Sequence, residues 1–178
     1  MKAKNLYNLS KILVEKYQSK VPNNFEDLIN LNDNLYKIKW NNYYSYGCDN
    51  GVKKAYKEKT GNIADINLML TSMLRYAGLV ANPALVSTRS NGIAFFANRT
   101  AFNYVIAAVE TDTGNILLDA SYKYSTPNIL PLRALNWQGR LIRKDGTSEA
   151  VDLMPEKLSN DNIFVNYTID PTGKIDGK

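Results

Sequence analysis

Residues 61–78 read GNIADINLMLTSMLRYAG, and this stretch decides the fold. Its apolar residues recur three and four positions apart, which predicts a helix over about residues 63–76. The members of this stripe are Ile66, Met69, Leu70, Met73, Leu74 and Ala77. Because Leu68 widens the apolar surface beyond a single stripe, we expect the helix to be buried on most sides.

Signals for the start and the end of this helix flank it directly. Asn62 and Asp65 stand in the relation of an N-cap residue and the third helical residue, and both suit the positive end of the helix dipole. Gly78 follows the last residue of the stripe and supplies the stop. The helix is therefore predicted with both of its ends.

Helical patterns precede this segment and strand patterns follow it. The predicted helices cover the first 20 residues, residues 25–37 and a short basic stretch at 51–58. The predicted strands lie in residues 79–89, 102–111, 116–121 and 138–143, and the second and third form a hairpin across residues 112–115. Helices first and antiparallel strands second predict an α+β fold, with the buried helix packed on the sheet and a helical N-terminal part.

The C-terminal residues predict a separate unit. From Ser148 the chain becomes polar and turn-rich, and it then offers one alternating run at residues 163–169. One strand leaves its ladder groups and apolar face unmatched. It could dock on the main sheet, mediate strand exchange in a homo-oligomer, or belong to a fragment of a longer chain, and we favour the fragment. The predicted domains are 1–150 and a C-terminal extension, 151–178, at the start of a β-rich domain.

Composition excludes several classes of function. The chain has no histidine and a single cysteine, Cys48, so imidazole-assisted catalysis and the common zinc sites have no residues to use. The net charge is +5, but the excess lies around the helices of the first third and no Arg precedes Arg75, which disfavours nucleic-acid binding. No apolar run is long enough for membrane insertion. We predict no cofactor and no metal.

Cys48 is predicted to be an incidental thiol rather than a nucleophile. It cannot form an internal disulfide, because it has no partner in the sequence. The neighbouring Asp49 raises rather than lowers the pKa of a thiol, which disfavours the reactive thiolate.

Three segments resemble the transglutaminase-like domain of papain-like fold, in the subgroup found in large bacterial multidomain proteins. They are KEKTGNIADINLMLTSMLRYAGLVANPALVSTRSNG from Lys57, FNYVIAAVETDTGNILLDAS from Phe102 and LPLRALNWQGRLI from Leu130. Their fixed order makes the resemblance specific. It covers roughly residues 30–145 and implies a papain-like core.

The resemblance also implies that two of three catalytic positions are lost. In active members a Gly-x-Cys-x-Asp motif opens the buried helix, and here Ile63 stands at the position of the cysteine. The family's histidine position holds Tyr104, whereas its aspartate remains as Asp119. A tyrosine is a poor general base at neutral pH. We therefore expect Asp119 to accept a hydrogen bond from the Tyr104 hydroxyl in a structural pair.

The leading hypothesis is a pseudoenzyme that either binds a peptide, protein or carbohydrate in the old cleft or serves as a spacer or scaffolding module. The candidate cleft residues are Trp40, Tyr43, Asn103, Tyr104 and Asp119. The alternative is a hydrolase with a relocated site, built on Cys48 and Asp49 or on carboxylates such as Asp65 and Asp119.

Two further expectations concern the surface and the location of the protein. The adjacent Phe95 and Phe96 lie in a polar loop and are candidates for an exposed contact surface. The resemblance implies a periplasmic or envelope-associated protein if the chain is a fragment, and otherwise a cytoplasmic one.

Overall fold

The structure is a computed structural model that describes residues 38–49, 51–96, 100–157 and 159–177. The helices predicted within the first 37 residues lie outside the described residues. The remainder of the chain has the predicted α+β composition, with helices followed by an antiparallel sheet.

Two helices precede the main sheet in the described chain. Helix α1 spans Val52–Glu58 and helix α2 spans Ile63–Tyr76, so both confirm the predicted bounds closely. The predicted cap of α2 is also present: the Asp65 amide donates to Asn62 Oδ1 at 2.7 Å, and the Asn62 amide donates to Asp65 Oδ2 at 3.2 Å. This reciprocal pair satisfies two amides that the first turn of a helix leaves free.

A short parallel pair connects the aromatic segment to the start of α2. Strand β1, Lys39–Trp40, pairs with strand β2, Thr60–Gly61. A side chain at Gly61 would place its Cβ 2.9 Å from Asp65 Cβ, closer than real Cβ atoms approach one another. Glycine at this position therefore lets β2 lie directly against the first turn of α2 and brings Trp40 near the start of that helix.

The main sheet has five antiparallel strands in the order β5-β4-β3-β6-β7. The strands are β3 Ala81–Val86, β4 Tyr104–Thr111, β5 Gly114–Leu118, β6 Gln138–Ile142 and β7 Ser148–Asp152. Strands β4 and β5 form the predicted hairpin, and their ladder runs from Ala107 with Leu118 to Thr111 with Gly114.

Strand β3 holds Pro83 in the middle of the sheet, where a proline is unusual. The predicted strand, residues 79–89, is longer than the observed one. The ladder between β3 and β6 pairs only Ala84 with Leu141 and Leu85 with Arg140, although Ile142, the last residue of β6, lies opposite Pro83 in this register. The ladder therefore stops at the proline, which has no N–H to donate to β6.

The prediction that the chain becomes turn-rich from Ser148 is wrong, because β7 begins there and pairs with β6 along its length. The sequence of β7, SEAVD, buries only Val151 and therefore lacks a strong apolar alternation. The predicted boundary after residue 150 falls inside β7, and the core continues to the buried Leu153.

Strand β4 contributes to two core clusters, which explains its continuous apolar run. Ala107 and Val109 belong to a cluster with Leu70 and Leu74 of α2. Ile106 belongs to a second cluster, which also contains Ile63 at the start of α2 and residues of β6 and β7. Because neighbouring strand residues point to opposite faces, a strand buried on both faces needs apolar residues at every position.

The C-terminal run forms its own hairpin. Strands β8, Tyr167–Ile169, and β9, Ile175–Gly177, pair with each other, and the predicted strand is confirmed only over its last three residues. Neither strand pairs with the main sheet in the described residues, and Phe164 before them is 92% exposed. The predicted docking on the main sheet is thus not observed, and the exchange and fragment alternatives stay predictions.

Among the described helices, none has the length and apolarity to cross a membrane.

Replacing Leu70 by alanine is expected to lower the free energy of unfolding by about 3 kcal/mol, because its fully buried side chain joins α2 to the sheet. Leu132→Ala is the matched control, since Leu132 is 67% exposed, and it should change stability by less than about 0.5 kcal/mol. Urea denaturation followed by circular dichroism measures both values. Equal losses in the two variants would contradict the placement of α2 in the core.

Candidate functional site

The buried carboxylate of Asp119, directly after β5, is the centre of the candidate site. Its Oδ2 accepts a hydrogen bond from the Tyr104 hydroxyl at 2.6 Å. Its Oδ1 accepts from Asn67 Nδ2 at 3.0 Å, from the Ser121 amide at 2.8 Å and from Ser121 Oγ at 2.6 Å. Four donors thus compensate the desolvation of this charge and hold the carboxylate in one orientation.

The predicted hydrogen bond between Tyr104 and Asp119 is therefore present, and Tyr104 is itself fully buried at the start of β4. Burial, and next the charge of Asp119, raise the pKa of Tyr104 well above its usual range, while Arg133 opposes the shift. The phenol remains protonated near neutral pH. It acts as a donor to Asp119 and cannot serve as a general base.

Asn67 ties the carboxylate to helix α2. Besides its bond to Asp119, Asn67 Nδ2 donates to the Val105 carbonyl at 2.9 Å, and Asn67 Oδ1 accepts from the Ala120 amide at 2.8 Å. One buried amide therefore joins α2 to β4 and to the segment after β5. Three elements that are distant in sequence are fixed relative to one another at this point.

Arg133 lies over the same cluster, on a short 3-10 helix at Leu132–Ala134. Its Nε donates to the Tyr104 hydroxyl at 3.1 Å and its Nη2 donates to Ser121 Oγ at 3.3 Å. The guanidinium carbon is 4.6 Å from the centre of the Trp40 ring and 5.2 Å from that of Tyr122. Aromatic faces at these distances attract a cation.

Trp40 extends this arrangement into an aromatic wall. The centre of its ring is 5.2 Å from that of Tyr44, which in turn is 5.9 Å from the ring of Tyr104. The indole Nε1–H of Trp40 donates to the Tyr43 carbonyl at 3.1 Å. We call Trp40, Tyr44, Tyr104 and Tyr122, together with Arg133, the aromatic site.

The predicted cleft residues do not all belong to this site. Trp40, Tyr104 and Asp119 come together as described, but Tyr43 contributes only its carbonyl, and its ring is exposed. The Asn103 side chain is directed to Thr88 instead: it accepts from the Thr88 amide at 2.9 Å and donates to Thr88 Oγ1 at 2.9 Å. It therefore anchors the loop after β3.

Ile63 occupies the first position of α2 and is completely buried in the core cluster that also contains Tyr104. Its side chain carries no group that can attack, bind a metal or transfer a proton. The dipole at this helix start acts instead on the capping pair of Asn62 and Asp65. The position can therefore contribute packing only.

Cys48 lies beside the same helix start, and its pKa is raised to about 11. Burial is the main cause, followed by a hydrogen bond to Asp65 and the charges of Asp65 and Asp49. This agrees with the predicted effect of Asp49. A thiol with such a pKa is almost wholly protonated near neutral pH and is a poor nucleophile.

In the described part of the chain, no three His, Cys, Asp or Glu residues are grouped as metal ligands.

Sequence reasoning missed Asn67, Ser121, Tyr122 and Arg133 as parts of the site. Asn67 offered a signal, because a polar amide within an apolar helix requires a buried partner. Arg133 offered none, since nothing local distinguishes it from other surface arginines. Arg133 belongs to the site because it contacts residues that lie far before it in the sequence.

Phe95 and Phe96 are 71% and 82% exposed, so their predicted exposure is confirmed. The ring of Phe95 packs 5.8 Å from that of Trp137, whose φ of 61° is rarely adopted by a bulky residue. Asn136 Nδ2 donates to the Gly92 carbonyl at 2.9 Å and so joins the segment that carries Trp137 to the loop that carries Phe95. Contact with a partner at this surface stays a prediction.

Comparison with known proteins supports the fold only. Neither a family model nor a curated protein matches the sequence. Among solved structures, one described as a "putative protease" from Parabacteroides distasonis is similar, with a TM-score of 0.50 and 16% identity. The match covers 83% of this chain but 30% of that protein, so the chain spans under a third of its length. At this identity the similarity concerns the α+β architecture and not the activity.

Replacing Tyr104 by phenylalanine is expected to lower the free energy of unfolding by about 2 kcal/mol, because Asp119 then loses one of its four donors in a buried position. Tyr76→Phe is the control, since the Tyr76 side chain is exposed and has no hydrogen bond in the described residues. It should leave stability unchanged. Chemical denaturation of both variants measures the difference. An unchanged free energy of unfolding in Tyr104→Phe would show that the buried carboxylate is stable without the bond from the phenol.

Proposed function

We propose that this chain is a transglutaminase-like domain of papain-like fold that has lost catalysis and acts as a peptide-binding module. The observation that carries the proposal is the network around Asp119, in which the phenol of Tyr104 is both buried and bonded to the carboxylate. At the two positions where the resembled family has its cysteine and histidine, this chain has Ile63 and Tyr104. Neither residue can activate a nucleophile near neutral pH.

The exposed parts of the aromatic site support a binding role. Tyr44 and Tyr122 are each 38% exposed, and Trp40 and Arg133 are half-buried between them. Ring faces with adjacent donors can bind an apolar side chain and orient the chain that carries it. Because the structure of similar fold is described as a "putative protease", a peptide is the first ligand class to test, with a glycan as the second.

A hydrolase with a relocated site is the competing hypothesis. It would require Cys48 or a pair of carboxylates to act as catalytic groups. The protonated state of Cys48 disfavours the first, and the full hydrogen bonding of Asp119 disfavours the second.

The reactivity of Cys48 tests the absence of catalysis. Because its pKa is about 11, the rate of alkylation by iodoacetamide at pH 7.5 should be roughly tenfold or more below that of N-acetylcysteine, and it should rise until about pH 11. Cys48→Ala is the blank, since the sequence has no other cysteine. Fluorescent casein and dansylcadaverine should show no turnover. Turnover that is lost in Cys48→Ala would overturn the proposal.

Binding can be followed through the two tryptophans of the chain, Trp40 and Trp137. With 15N-labelled tryptophan, a tryptic digest of casein should shift the indole N–H signal of Trp40, which lies in the aromatic site, and leave that of Trp137 unchanged. Trp137→Phe assigns the two signals. Chitohexaose is the second ligand: a response to it alone would assign the site to glycans, and no response to either would contradict the binding role.

A further inference from the structure

We propose that Arg133 binds a carboxylate of the ligand, so that the aromatic site selects acidic or C-terminal peptide segments. This inference rests on the proposed binding function and names the chemistry that the site recognises. It concerns a residue that neither the sequence patterns nor the resemblance assigns to any role.

The guanidinium group of Arg133 has one edge without a hydrogen-bond partner in the described residues. Arginine carries five N–H donors in a planar fork. The edge formed by Nε and Nη2 is occupied, because Nε donates to Tyr104 and Nη2 donates to Ser121. The described residues provide no other hydrogen bond and no ion pair to Arg133, so its terminal edge, formed by Nη1 and Nη2, remains available. That edge has the geometry that a carboxylate matches with two parallel hydrogen bonds.

The Arg133 side chain is held in place before any ligand binds. Two hydrogen bonds fix one edge, and the faces of Trp40 and Tyr122 restrict the guanidinium plane. The short 3-10 helix that carries it is anchored by the buried Ala134. A side chain fixed in advance loses little conformational entropy on binding, which increases affinity.

In the described residues, no carboxylate bonds directly to the positive charge of Arg133. The acidic group nearest in this network is Asp119, and its two oxygens already accept four hydrogen bonds. Asp119 is buried and contacts Arg133 only through Tyr104 and Ser121. The guanidinium is half-buried and flanked by aromatic rings, which weakens screening by water and strengthens its attraction for an anion.

The same aromatic faces define what accompanies the carboxylate. The rings of Trp40, Tyr104 and Tyr122 flank the guanidinium, and Tyr44 packs against Trp40. A carboxylate next to an apolar side chain would satisfy both parts of the site. The C-terminus of a peptide and the side chain of a glutamate both provide this chemistry.

The experiment uses the full chain with 15N-labelled tryptophan and three probes: N-acetylphenylalanine, its neutral amide, and N-acetylglutamate α-amide. We expect N-acetylphenylalanine to shift the Trp40 signal in a saturable manner, and the neutral amide to bind about tenfold or more weakly. A response to the glutamate probe as well would show that side-chain carboxylates are also accepted. Trp137 provides the internal reference.

Arg133→Met should abolish the preference for the carboxylate, and Arg133→Lys should reduce it, because lysine keeps the charge but not the fork. Lys144→Met is the control, since it removes one positive charge from an exposed turn and should retain the preference. If Arg133→Met does not fold, the inference is tested by the preference of Arg133→Lys for the acid over the amide. Equal binding of the acid and the amide, or a preference that survives both substitutions of Arg133, would overturn the inference.

These outcomes are separate from those of the proposed function. Binding of the casein digest at Trp40 without any preference for a carboxylate would contradict the role of Arg133 and leave the binding module intact. A structural role of Arg133 as a counter-charge to Asp119 would alter stability, but it would not make the wild-type protein distinguish an acid from its amide.

Discussion

The rest of the structure depends on one buried negative charge. A carboxylate without water is tolerated only when donors surround it, and Asp119 obtains its donors from helix α2, from strand β4 and from the turn after β5. Because the four donors come from three different elements, satisfying the charge also sets the distances between those elements. The apolar clusters on the two faces of β4 supply most of the burial, but they do not specify these distances as narrowly.

The same network is the reason why we propose binding rather than reaction at this site. A catalytic base must release its proton near neutral pH, whereas burial and the adjacent carboxylate keep the proton on Tyr104. A phenol with a permanent proton can in turn accept a bond from Arg133, and it thereby positions the guanidinium above the aromatic rings. The fixed phenol is thus a link between the buried charge and a half-exposed cation.

Much of the fold could be predicted from local patterns. The bounds of α2, its cap and the β4–β5 hairpin follow from residues that lie close together in the sequence. The sequence does not indicate strand β7, because an edge strand with one buried residue has little apolar alternation. The predicted β3 is longer than the observed one, because no local pattern marks the ends of its ladder with β4 at Ala81 and Val86. The resemblance predicts Tyr104 and Asp119 as a pair, whereas no pattern in the sequence indicates that the Asn103 side chain bonds to Thr88 in the loop after β3.

The sequence by itself determined which chemistry is absent and which helix is buried. The missing histidine, the single cysteine and the stripe along α2 are properties of composition and spacing, and they require no knowledge of distant contacts. Only the tertiary structure decided where the charges lie. Arg133 reaches Tyr104 and Trp40 across long separations in sequence, and the register of β4 and β5 determines whether Asp119 lies opposite the phenol. Such contacts depend on how the elements pack, and therefore no local sequence pattern predicts them.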